Sequence, residues 1–112
     1  MPSYRLHLPI GALHPGATPG EVMEQAVLAL GSLHTVEKQD VEAPLLAGRR
    51  VGRLVLRFAV DAPARAAADD AARHALAVVA EHLQDSVAQI EPPDAVLLTR
   101  GAGGRFRPIA PW

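Results

Sequence analysis

Cysteine is absent from this chain, and with it go a disulfide framework, a thiolate metal site and a cysteine nucleophile. Aromatic side chains are scarce: Tyr4, Phe58, Phe106 and Trp112 are the full set. Four rings, two of them in the tail, cannot pave a sheet on which nucleic-acid bases stack. Nor can they build the histidine-and-aromatic wall of a ligand cavity enclosed between two small sheets. Lysine occurs once, at Lys38, and 11 basic against 12 acidic residues leave a net charge of −1. That balance argues against wholesale attraction to nucleic acid or membrane and leaves room for a local patch. No apolar stretch approaches a membrane span, and the amino terminus lacks the charged-then-apolar pattern of a secretory leader. The expectation is a soluble cytoplasmic protein with no membrane partner.

Motifs of known chemistry are missing as well. No serine stands in an elbow flanked by glycines, and the glycines from Gly101 to Gly104 precede no helix that would make them a phosphate loop. The histidines are His7, His14, His34, His74 and His82. None are paired at i, i+4, and His74 and His82 would fall about 12 Å apart along a helix. No metal and no cofactor are expected.

What the chain does have is alternation. Leu54, Leu56, Phe58 and Val60 share one side of a predicted strand, with Arg53, Val55, Arg57 and Ala59 on the other. Asp61 and Pro63 read as the start of a helix, whose positive end would lie near Asp69 and Asp70. Ala68, Ala72, Ala75, Leu76, Val79 and Leu83 recur at helical spacing, a stripe that can lie on the strand's apolar face. A second extended run begins at Val87.

The first half repeats this plan. Tyr4, Leu6, Leu8 and Ile10 alternate with Arg5, His7 and Pro9 in a second central strand. Thr18-Pro19-Gly20-Glu21 reads as a capping box, opening a helix that buries Met23, Ala26, Val27 and Leu30. Thr35 to Glu42 looks extended but polar, as suits an edge strand, and Ala47-Gly48-Arg49-Arg50 supplies the turn back. The order is strand, helix, strand, strand, helix, strand. It predicts an α+β, ferredoxin-like βαββαβ sandwich, with two helices on one face of an antiparallel sheet. At 112 residues the chain is one domain, divided as an α+β body over 1–94 and a terminal hairpin or arm over 95–112. In that arm Phe106, Ile109 and Trp112 could dock on the chain's own core or on a neighbour.

With the first and third strands side by side, Arg5, His7, Arg53 and Arg57 project together from the uncovered face. Planar guanidiniums in such number fit a carboxylate or phosphate. They also fit pairing with Glu37, Asp40 or Glu42 on the edge strand, or with a second subunit. The arginine, glycine and phenylalanine mix from Arg100 to Arg107 resembles some nucleic-acid-binding segments, yet it is short and unrepeated, so a hairpin turn is the better reading. The function expected is a small non-catalytic binding or assembly module. It would be homo-oligomeric, offering its open face or edge strands to a protein or a small anion.

An enzymatic alternative starts from Met1-Pro2. The length and paired strand-helix-strand halves are similar to those of the tautomerase superfamily, in which an amino-terminal proline acts as general base. The resemblance implies a cofactor-independent isomerase in which Pro2, freed of its methionine, moves protons near neutral pH. Arg5, Arg53 or Arg57 would then hold the substrate's carboxylate.

Overall fold

The computed structural model describes residues 2–112. Strand β1 (Ser3–Leu13) leads to helix α1 (Pro19–Gly31) and edge strand β2 (Thr35–Glu42). A short hairpin, β3 (Leu45–Leu46) and β4 (Arg49–Arg50), precedes β5 (Gly52–Ala59). Helix α2 (Arg65–Ser86), β6 (Ala88–Ile90), β7 (Leu97–Ala102) and β8 (Arg105–Ile109) complete the chain. The result is an α+β fold, two helices packed on a six-stranded antiparallel sheet, with the β3–β4 hairpin apart from it. No helix is long and apolar enough to cross a membrane among the described residues.

Strand β1 is flanked on both edges. Along one it pairs with β5 from Ser3↔Ala59 to Ile10↔Gly52, and β5 pairs in turn with β2. Along the other, β7 takes Tyr4 to His7 and β6 takes Ile10 and Leu13. Strands β6 and β7 are thus one line interrupted at Pro92-Pro93, two residues with no N–H to give to a ladder. The terminal hairpin is accordingly part of the sheet, with β8 on its outer edge.

Alternation then sorts the side chains. Tyr4, Leu6, Leu8, Leu54, Leu56, Phe58 and Leu98 are buried against Ala68, Ala72, Ala75, Leu76, Val79 and Leu83 of α2. In α1 the innermost line is Val22, Ala26 and Leu30, with Met23 and Val27 half-buried beside it, so the helix is turned slightly from the expected stripe. Its start follows the expected cap: Thr18 accepts from the Glu21 N–H at 3.3 Å. The Glu21 carboxylate reaches back to the Thr18 hydroxyl, at 3.1 Å.

Helix α2 departs from expectation at its start. Asp61 does not cap it; the chain bends at Pro63 and Ala64, and Ala64 stands at the N-cap with extended dihedrals and no side-chain hydrogen bond. Pro63 disfavours helical geometry in the residue before it, which keeps Ala62 and the Asp61 side chain outside the first turn. Asp69 is drawn into a different role. It accepts from the Tyr4 hydroxyl at 2.6 Å and from Arg100 Nη1 at 2.6 Å, joining β1, α2 and β7 at one point. Burial, then the hydrogen bond to Asp69, pushes the Tyr4 phenol well above its ordinary value. Burial would raise the Asp69 carboxyl too, but the Tyr4 and Arg100 hydrogen bonds and the charges of Arg100 and Arg73 hold it below the usual carboxylate range.

A depressed carboxyl contributes stability that is complete above its unfolded value, about pH 3.9, and lost as pH falls through the folded one. Asp69→Asn is therefore expected to cost about 1.5–3 kcal/mol near pH 7. In denaturant titrations the variant and the parent should converge as pH falls below the unfolded value and through the lower folded one. A pH-independent difference would detach the loss from the charge.

Candidate functional site

The sheet face turned away from the helices carries Arg5 and His7 from β1 and Arg53 and Arg57 from β5. The pairing sets Arg5 directly opposite Arg57, His7 opposite Val55 and Arg53 opposite Pro9. Two like charges facing each other across a ladder oppose the pairing, so the surroundings must offset them. Arg57 does so through β2, its Nε donating to Glu37 Oε1 at 3.1 Å. Both side chains are more than a third exposed, which holds such a pair to about 0–1 kcal/mol.

Arg5 is treated differently. Among the described residues it has no carboxylate partner; its guanidinium lies over the Phe106 ring, 3.8 Å from the centroid, with Arg57 5.3 Å from the same centroid. Phe106 reaches this face because the two-residue turn at Gly103 and Gly104, both with positive φ, sets Gly101 opposite it. The absence of a side chain at Gly101 makes the seat: a Cβ there would stand 3.1 Å from the ring and 3.2 Å from the Ser3 carbonyl oxygen. Arg5, Arg57, Phe106 and the Gly101–Gly104 turn border a shallow depression of about 440 Å³.

Further along the face, Arg53 is bonded to Glu42, which also faces His7 Nδ1 at 3.5 Å. A carboxylate only accepts, so Nδ1 carries the hydrogen in this contact and Nε2 is a bare acceptor. That Nε2 is buried and has no partner. Burial chiefly lowers the affinity of His7 for a proton; Glu42 opposes this, and the charges of Arg53 and Arg5 reinforce it. Burial would raise Glu42, but the hydrogen bond and charge of Arg53, followed by those of His7, hold it low.

The four residues read from the sequence thus share one face, in two groups: Arg5 with Arg57 and Phe106, and His7 with Arg53 and Glu42. Of the acidic partners expected on β2, Glu37 and Glu42 are engaged, and the Asp40 carboxylate accepts from the Val41 N–H. Pro2 lies elsewhere, in a depression of about 230 Å³ with Tyr4, Arg65 and Arg100. None of Arg5, Arg53 and Arg57 borders it, and Arg100 is committed to Asp69. Met1, whose removal the tautomerase resemblance requires, lies outside the described residues. Of the three tail contacts considered, Ile109 packs on the chain's own core and Phe106 takes the arginines, while Trp112 is 71% exposed. Sequence reasoning did not place Phe106 beneath Arg5, although a Gly-Gly hairpin turn fixes the Gly101–Phe106 pairing. Among the described residues no three His, Asp or Glu side chains gather as a metal site. No family model, curated protein or solved structure matches the chain.

His7 gives a test of the face. A histidine with a lowered folded pKa contributes stability that is present above its unfolded value, about pH 6.5, and lost as pH falls through the folded one. NMR titration should find the His7 midpoint below about 6.5, with global stability declining on the acid side of neutrality. His7→Gln should flatten that part of the profile, and an unchanged slope would assign it to another group.

Proposed function

We propose that the chain is a small non-catalytic module on a ferredoxin-like scaffold, which binds an anion on its open sheet face and assembles with copies of itself. Support for the scaffold is the strand order β2–β5–β1–β6, with a helix following β1 and another following β5. The anion reading rests above all on Arg5, whose charge no carboxylate of the described chain neutralises and whose orientation the Phe106 ring fixes. A guanidinium stacked by its face keeps its N–H edges free, and those edges match a carboxylate or phosphate bidentately. Pre-orientation by Phe106 lowers the side-chain entropy that binding would otherwise cost. Arg57, held by Glu37 through Nε, stands opposite with its terminal nitrogens available for the same ligand.

The experiment is calorimetric titration with inorganic phosphate and with succinate at low ionic strength. A surface site of this kind should bind one of them with a dissociation constant on the order of 1 mM. Arg5→Gln should weaken binding at least about tenfold, the loss of one charge-assisted bidentate contact. Phe106→Leu, which removes the stack and keeps the charge, should give a smaller loss. Binding of neither anion, or an unaffected Arg5→Gln, would remove the basis of the reading.

A further inference from the structure

Another concavity lies at the other end of the sheet, between the β3–β4 hairpin and the segment that joins β6 to β7. It is an open groove of about 1070 Å³ with Ile10, Leu46, Val51, Val96 and Leu97 among its apolar lining. Its two walls differ in charge. The hairpin wall carries Arg49 and Arg50, and the facing lip carries Glu91 and Asp94, all four exposed. Among the described residues none of these four enters an ion pair with another side chain. The groove therefore separates opposite charges that do not meet within one chain.

The hairpin is the outer tip of the β2–β5 ladder, its pairs Leu45↔Arg50 and Leu46↔Arg49 continuing the register of Glu42↔Arg53. Its strands are two residues each and pair only with one another, around a turn with positive φ at Ala47 and Gly48. Its base is closed by the Val51 N–H donating to the Pro44 carbonyl and by Arg50 donating to the Ala43 carbonyl. Leu45 is 60% exposed on it. A two-stranded tip that reaches beyond the other strands gains stability from further strands or an apolar surface to lie on.

We propose that this groove is where two copies of the chain meet about a two-fold axis, each seating its hairpin between the hairpin and the acidic lip of the other. Two-fold contacts require a self-complementary surface, and a basic ridge beside an acidic lip is one. Arg49 and Arg50 of each copy then face Glu91 and Asp94 of the other. The two hairpins lie side by side, and Leu45 is withdrawn from water. The volume exceeds what a small anion fills and lies at the upper end for small-molecule pockets, about 300–1,000 Å³. The inference gives the assembly half of the proposed function a surface, and it rests on that half alone.

Charge exchange tests it by sedimentation equilibrium. The parent chain should be a dimer that weakens with added salt. Arg49→Glu with Arg50→Glu should raise the dimer dissociation constant at least about tenfold, and so should Glu91→Lys with Asp94→Lys, because each sets like charges across both contacts. An equimolar mixture of the two variants should recover a heterodimer, since acidic hairpin meets basic lip and basic hairpin meets acidic lip. Circular dichroism of each variant establishes that the fold is kept. A parent that stays monomeric, variants that dimerise like the parent, or a mixture that fails to associate would each overturn the proposal. Arg5→Gln should dimerise normally whatever its effect on anion binding, so the two readings fail separately.

Discussion

Strand β1 sends Tyr4, Leu6 and Leu8 toward the helices and Arg5 and His7 to the far side, and pairing along both of its edges prevents any exchange between the two sets. A slip of one residue would bury Arg5 and His7 and expose the largest aromatic of the core. The register is fixed on one edge by the long ladder to β5 and on the other by β6 and β7 in succession. The apolar face of that ladder is what α2 packs on, and its polar face is what the candidate site is made of.

Asp69 adds a second constraint by tying three elements that are distant in the chain. Its carboxylate takes the Tyr4 hydroxyl on one oxygen and Arg100 on the other, so a polar group at the margin of the core is satisfied instead of stranded. A hydroxyl buried in that position without an acceptor would cost about 1–3 kcal/mol. The same contact fixes the start of β1 against β7 and so helps set the hairpin that delivers Phe106. A bond on the helix side of the sheet therefore helps place a ring on the opposite side.

The central strands, the stripe on α2, the Thr18 cap and the polar edge strand were legible because each is written in local periodicity or local hydrogen-bonding chemistry. The alternation at 54–60 and the six-residue stripe from Ala68 to Leu83 needed no knowledge of the rest of the chain. Asp61 misled because a capping residue two positions before a proline also suits a connecting turn, and only the path from sheet to helix layer decides between them. The hairpin after Gly101 was readable as a hairpin, but the edge it joins depends on a partner at the opposite end of the sequence. For the same reason the grouping of Arg5, His7, Arg53 and Arg57 on one face followed from alternation, whereas the seat of Arg5 on Phe106 did not.

Prior engagement of the acidic side chains sets Arg5 apart from its neighbours. The acidic residues that pair on this face, Glu37 and Glu42, both come from β2, which lies beside β5 and one strand removed from β1. Arg57 and Arg53 on β5 are adjacent to them and are neutralised. Both carboxylates also reach across to β1, Glu37 to the Ser3 hydroxyl at 2.8 Å and Glu42 to His7, but neither meets Arg5, whose near neighbours are Arg57 on one side and Thr99 on the other. Thr99 brings no charge, and Phe106 supplies only the negative face of a ring, worth about 0.5–1 kcal/mol at an exposed position. That contact orients the cation without discharging it. With Glu37 held by Arg57 and Ser3 and Glu42 held by Arg53 and His7, the Arg5 guanidinium is left fixed in direction and open in charge.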